Sequence, residues 1–281
     1  MSDRGDAGEM VLTGPWTPEA AEAVRDGHVD RLVLNYALGF TEPSLDFLEG
    51  LPLRELVILA PQLSDLEPVH TLAPTLQALH VSTNSTLKLD LGRLPRLQEL
   101  AAAWPQVVSS IDALAGLRVA FLRGYQPTDL RPLAPLTGLT DLVMKDRPKI
   151  KSLVGLSTLS SLRLLGIYLA KDLADVEDLD GRSAIEDLAL ESCRKIQRLD
   201  ALAGCTGLRR LNLSECGDLA SLAPIRALTK LEQVSMFGST KIKDDDLEPL
   251  LALPRLRQLR MQSRRSYRPS LEEIQALLPR A

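Results

Sequence analysis

Residues 185–207 read IEDLALESCRKIQRLDALAGCTG, and residues 208–230 read LRRLNLSECGDLASLAPIRALTK. The two lines are one 23-residue pattern written twice. Ile185, Leu188, Leu190, Cys193, Ile196, Leu199 and Leu202 recur as Leu208, Leu211, Leu213, Cys216, Leu219, Leu222 and Ile225. Apolar residues at alternate positions (188 and 190, 211 and 213) mark a short strand with one face turned inward. A unit this small can bury that face only against its neighbours, so the pattern predicts a solenoid.

The register extends in both directions. First apolar positions fall at Val29, Leu53, Leu76, Leu97, Leu117, Leu139, Leu162, Ile185, Leu208, Leu231 and Leu256, spaced 20 to 25 residues apart. The alternating pair recurs in each repeat, from Leu32 and Leu34 to Leu259 and Met261. About eleven parallel strands are therefore expected, stacked about 4.8 Å apart on one side of a curved sheet. The return path steps by three: Ile150, Leu153, Leu156 and Leu159, then Leu219, Leu222, Ile225 and Leu228. That step fits 3₁₀ turns better than α-helix. Pro68, Pro74, Pro132, Pro135 and Pro224 agree, because proline disfavours long helices. Only the longer segment before Leu256, KIKDDDLEPLLALPR, has room for a helix of its own.

The pattern L-x-x-L-x-L-x-x-C resembles the leucine-rich repeat family. The short repeats are most similar to its internalin-like and phosphatase-regulator-like classes, and less so to helix-backed ribonuclease inhibitor. The resemblance implies an α/β solenoid, a horseshoe with a concave sheet and a convex side of 3₁₀ or irregular turns. It also implies an asparagine at the ninth position of many repeats, tying adjacent turns. Here that row reads Ala37, Pro61, Asn84, Pro105, Tyr125, Arg147, Ala170, Cys193, Cys216, Ser239 and Arg264. Only repeats eight to ten offer a continuous run of hydrogen-bonding side chains.

Both ends carry cap signals, as a solenoid requires. Thr17-Pro18-Glu19 reads as an N-cap, a proline in the first turn and an acidic residue, with Gly27 as the stop. Ser270-Leu271-Glu272-Glu273 is a capping box, followed by Ile274, Leu277 and Leu278 as an apolar stripe. The expected organisation is a flexible tail over 1–9 and one repeat domain over 10–281. Within it, 10–28 form the N-terminal cap, 29–268 the repeats and 269–281 a capping helix.

Of 281 residues, 45% are hydrophobic, yet only four Phe, four Tyr and two Trp occur. The core must be aliphatic, and the place of each aromatic becomes informative. A net charge of −4 gives no global field toward nucleic acid or membrane. The start, MSDRGDAGEM, lacks a signal-peptide pattern, and no apolar run approaches a membrane span. Three cysteines do not suggest a disulfide framework. A soluble cytoplasmic protein is expected.

No phosphate-binding, dinucleotide-binding or zinc-protease motif occurs, and no C-x-x-C. His28, His70 and His80 fall in unrelated phases of the repeat. Asp244, Asp245 and Asp246 read as an acidic helix start. Cys193 and Cys216 stack within disulfide reach but read as buried thiols. No cofactor, metal or catalytic residue is expected.

Side chains between the core positions of a strand face the concave surface. Tyr36, Trp104, Phe121, Tyr168 and Phe237 are placed there, with Tyr125 at the rim. Leu59 and Val143 join this apolar band, and Arg123, Lys145 and Glu191 supply its polar border. Aromatic anchors inside a mixed polar rim are the anatomy of a protein interface. The reading is a non-enzymatic module that binds a protein partner on these ten residues. The resemblance to phosphatase-regulating repeats leaves a regulatory or inhibitory subunit of an enzyme as the alternative. Nucleic-acid binding ranks third, through the basic last repeat (Arg255, Arg257, Arg260, Arg264, Arg265 and Arg268).

Overall fold

The structure, a computed structural model, describes residues 8–278. The chain falls into two compact units, residues 1–122 and 123–281. Most of the expected tail lies outside the described residues, as do residues 279–281 of the expected capping helix.

The first unit holds β1 (Gly8–Leu12), β2 (Val29–Asn35), β3 (Glu55–Leu59), β4 (Ala78–Ser82), β5 (Glu99–Ala103) and β6 (Val119–Arg123), the last residue of β6 counting with the second unit. Gly8 and Glu9, assigned to the tail by sequence, open β1. Their strand pairs in parallel with β2, from Glu9 on Arg31 to Leu12 on Leu34. From β2 onward equivalent positions stand in line: Leu32 pairs with Leu56, Leu56 with Leu79 and Leu79 with Leu100. All four are fully buried. Each such side chain contributes about 1.5–3 kcal/mol over its exposed state, and the in-line register concentrates that gain in a continuous aliphatic column.

Helix α1 (Pro18–Arg25) begins where the sequence places it. Thr17 Oγ1 accepts from the Ala20 amide at 3.2 Å. Ala21 and Val24 are buried, and the helix packs on β2. The return segments are 3₁₀ turns at Asp46–Leu48, Glu67–Leu72, Leu91–Arg93 and Ile111–Ala113. Trp16 stacks on Phe47 with ring centroids 4.6 Å apart, and Phe47 meets Phe40 edge-on at 6.3 Å. The first unit therefore keeps an aromatic cluster away from its strands, which residue spacing did not reveal.

After β5 the chain makes one α-turn, α2 (Trp104–Val107), with Pro105 in its first turn. This corrects the reading of Trp104. Counting places it on the sheet surface, but the turn rotates its indole inward and leaves it 4% exposed. Gln106, one residue past the ninth position, then ties this turn to the previous repeat. Its Nε2 donates to Thr83 Oγ1 at 3.0 Å, and its Oε1 accepts from the Ala103 amide at 3.1 Å.

The second unit contains β7 (Asp141–Lys145), β8 (Leu164–Tyr168), β9 (Asp187–Glu191), β10 (Arg210–Asn212), β11 (Asp218–Leu219), β12 (Gln233–Met236), β13 (Lys241–Ile242) and β14 (Gln258–Met261). Strands β7 to β10, β12 and β14 form the sheet, again in parallel and in register, with Leu165 on Leu188 and Leu188 on Leu211. The pair β11 and β13 lies apart. Five 3₁₀ turns form the return path: Arg131–Leu133, Leu156–Thr158, Glu177–Leu179, Asp200–Gly204 and Ala223–Ala227. The segment before Leu256 holds one helical turn, α3 (Glu248–Leu251). Helix α4 (Leu271–Leu277) starts on the expected box: Ser270 Oγ accepts from the Glu273 amide at 3.2 Å, and Glu273 Oε2 accepts from the Ser270 amide at 2.7 Å.

The turn after each strand explains the repeat's polar positions. Leu169, Ser192 and Glu215 have φ near +60°, and Gly238 has φ of 74°. That conformation is unfavourable for residues with a Cβ. It aims each amide at the next repeat: Leu169 N donates to Glu191 O, Ser192 N to Ser214 O and Glu215 N to Phe237 O, at 2.9 to 3.0 Å. One residue further on, side chains tie back to the previous repeat. Cys193 Sγ approaches Ile167 O at 3.6 Å, and Cys216 Sγ donates to Leu190 O at 2.8 Å. The third rung is Thr240, not Ser239, with its Oγ1 donating to Leu213 O at 2.6 Å. Repeat ten holds one extra residue between its last strand position and the rung. Tyr125 is corrected too: it lies fully buried rather than at a rim, and its hydroxyl donates to Asp129 O at 2.8 Å.

Candidate functional site

In each unit the strands bury alternate residues and present the others on an open face. In the first unit that face carries Val33, Val57, Leu59, Ala101, Val119 and Phe121, all partly exposed. Along one edge Arg31 bridges Glu9 at 2.6 Å and Glu55 at 2.7 Å. His80 Nε2 meets Glu99 Oε1 at 2.8 Å. His80 stands in the central row itself, between Val57 and Ala101, so the apolar surface is divided there. Tyr36 stands beyond the end of β2 in a 3₁₀ turn, 57% exposed.

The second unit's face is polar. Val143 is partly exposed, and Lys145 Nζ sits 4.9 Å from the centroid of the Tyr168 ring. Tyr168 lies over Gly166, where a Cβ would crowd its ring. Partial burial raises the phenol's pKa, and the negative charges of Glu191 and Asp187 add to the shift. Glu191 Oε2 accepts from Asn212 Nδ2 at 2.9 Å. Arg210 Nε donates to Asp187 Oδ2 at 2.6 Å. Ser214 and Ser235 share a hydroxyl hydrogen bond of 3.0 Å. Phe237 projects from the end of β12, 63% exposed. Arg123 is partly exposed at the end of β6.

Nine of the ten expected residues therefore reach solvent, and Trp104 does not. They are dispersed: Leu59 and Phe121 belong to the apolar face, while Val143, Lys145, Tyr168 and Glu191 belong to the polar one. Sequence spacing missed a shallow trough of about 380 Å³ in the second unit, lined by residues from Tyr168 to Arg260. Ala189 and Ser235 lie on its floor, on either side of Asn212. Small residues at two of those three fifth positions are the signal that could have shown it. Among the described residues, no group of three His, Cys, Asp or Glu side chains could hold a metal ion. No described helix is long and apolar enough to cross a membrane.

In-register parallel strands, 3₁₀ return turns and a hydrogen-bonded turn ladder define a leucine-rich repeat fold. Solved structures agree. The chain is similar to an internalin (inlF) of Listeria monocytogenes, with a TM-score of 0.58, 20% identity, and coverage of 85% of this chain and 75% of that one. It is also similar to the functional domain of InlJ from Listeria monocytogenes, which includes a cysteine ladder. There the TM-score is 0.52 and the identity 16%, over 82% of this chain and 57% of that one. These likenesses establish the fold, of the internalin-like short-repeat kind. No protein-family profile matches the chain, and no curated protein is similar to it in sequence.

Proposed function

We propose that the protein is a non-enzymatic recognition module that binds a partner protein on the open face of its sheet. The observation that carries this reading is the first unit's face. Parallel sheets normally have both faces covered. Here Val33, Val57, Leu59, Val119 and Phe121 form a partly exposed apolar surface on the side away from the core. Such a surface marks an interaction site, and the Arg31–Glu55 ion pair along its edge and the His80–Glu99 hydrogen bond within it supply the polar groups of an interface. The three cysteines are unpaired and buried, which supports a reducing, cytoplasmic setting.

The test is capture from native cytosol with wild-type protein and a Leu59→Glu, Phe121→Glu variant. Both substitutions place charge on the solvent side of strands whose core positions are untouched. The expected result is a specific protein retained by the wild type and lost by the variant, at a thermal midpoint within a few degrees. Retention by a folded variant overturns the reading. Trp104 is unsuited to this test, because its truncation would open a cavity in the core.

A further inference from the structure

We infer that the trough on the second unit's face seats an acidic side chain of an extended peptide segment, with Arg260 as its counter-charge. The inference rests on the protein-binding reading and names the chemistry of what is bound. Three ionised side chains line the trough: Asp187, Arg210 and Arg260. The charge on Asp187 is met by Arg210 at 2.6 Å. Arg260 has no carboxylate within ion-pair distance among the described residues. The trough therefore carries one uncompensated guanidinium, a group suited to forked hydrogen bonding with a carboxylate.

The surroundings favour the same occupant. Ala189 and Ser235 leave the floor low on either side of Asn212, whose amide, tied to Glu191, adds a polar group to it. Gln233 and Gln258, both exposed, offer amide donors and acceptors along the wall. Tyr168 closes the far end, held by Lys145 against its ring. The second unit also has more basic than acidic side chains, whereas the first has the reverse. The excess is densest beside the trough, where Arg255, Arg257, Arg264 and Arg265 flank β14. An acidic segment is thus steered toward this face at low ionic strength. A nucleic acid would use the same charges but needs a track of phosphate contacts, whereas the trough itself presents one free cation among amides and hydroxyls.

The test is fluorescence anisotropy of the full chain with three labelled probes: a Glu-Gly-Ser dodecapeptide, its Lys counterpart and a twelve-nucleotide oligouridylate. The acidic peptide should bind, more weakly in high salt, and the lysine peptide should not. Arg260→Glu should weaken binding at least tenfold. Ser235→Trp, which fills the floor without changing charge, should do the same. Lys151→Glu, on the return path, should change it less than twofold. Circular dichroism of each variant separates lost binding from lost fold. Equal affinity in folded Arg260→Glu, tighter binding of the oligonucleotide, or no binding of the acidic peptide overturns the inference. Loss of partner capture in the Leu59→Glu, Phe121→Glu variant would leave the wider reading standing in any of those cases.

Discussion

At Cys216 a single thiol both fills the interior and spans two repeats. Its Sγ donates to Leu190 O at 2.8 Å, and its amide donates to Thr240 Oγ1 at 3.0 Å. The same position in the preceding repeat is Cys193, whose longer contact at 3.6 Å is the weaker rung. A small polarizable donor suffices here, because the carbonyl it meets is already buried. Cys216→Ala removes the donor and leaves that carbonyl short of a partner, at a cost of about 1–3 kcal/mol. Cys216→Ser keeps an O–H in the same place and should cost less. Urea unfolding of the three proteins decides between packing and hydrogen bonding as the main contribution: a serine variant no more stable than the alanine variant would show that volume, not the bond, is what matters. The residue scale is also where the sequence misleads. Trp104 and Tyr125 are aromatic residues at positions counted as outward or marginal, yet both are buried. Counting assumes that every turn leaves its strand in the same way. Pro105 starts an α-turn instead, and the Tyr125 ring fills the place of a ladder side chain.

Strands and caps were legible because each rests on a local rule. Alternation at Leu188 and Leu190 or Leu211 and Leu213 fixes which side of a strand is buried, and the parallel register repeats that choice down the stack. The 3₁₀ return path followed from the step of three, since i and i+3 align on such a turn. The extra residue that moves the last rung from Ser239 to Thr240 was not legible, because both side chains are hydroxyl donors and only the backbone path separates them. The C-terminal cap yields an element-scale prediction. Ser270 and Glu273 satisfy each other's amides, while Leu271 and Ile274 are buried beneath the helix. Ser270→Ala removes the cap acceptor for the Glu273 amide and should lower stability by about 1 kcal/mol. The loss should appear first as faster amide exchange within 271–277, because a seven-residue helix has little stability of its own. Uniform acceleration across all strands with no excess in 271–277 would mean that α4 is not an independently fraying element.

Across the whole chain, the fold could be read from sequence whereas the working surface could be read only in part. Spacing identifies which residues leave the core, and nine of the ten chosen do so. It does not give the depth of the surface, which depends on the size of neighbours from different repeats. That is why the trough over Ala189, Asn212 and Ser235 needed the stacked strands to become visible. The same stacking sets how the molecule responds to alkali. Burial pushes the Cys193 thiol up to about 12 and the Cys205 and Cys216 thiols up to about 11, from an ordinary 9.0. Burial raises the Tyr125 phenol as well. Below about pH 9 these thiols are protonated in both the native and unfolded chains, and their contribution to stability is fully present. Above it the unfolded chain releases protons that the native one retains. Each thiol then removes stability at about 1.4 kcal/mol per pH unit, until the native thiols titrate near 11 to 12. Unfolding free energy should therefore fall steeply between about pH 9 and 10.5. Cys205 tests the cause most directly, because it lies in the return path, outside the Cys193–Cys216–Thr240 ladder, with its Sγ donating to Leu179 O at 3.2 Å. Cys205→Ala should be less stable at pH 7 yet show a shallower alkaline slope, by up to about 1.4 kcal/mol per unit. An unchanged slope would show that the Cys205 thiol contributes nothing to the alkaline loss.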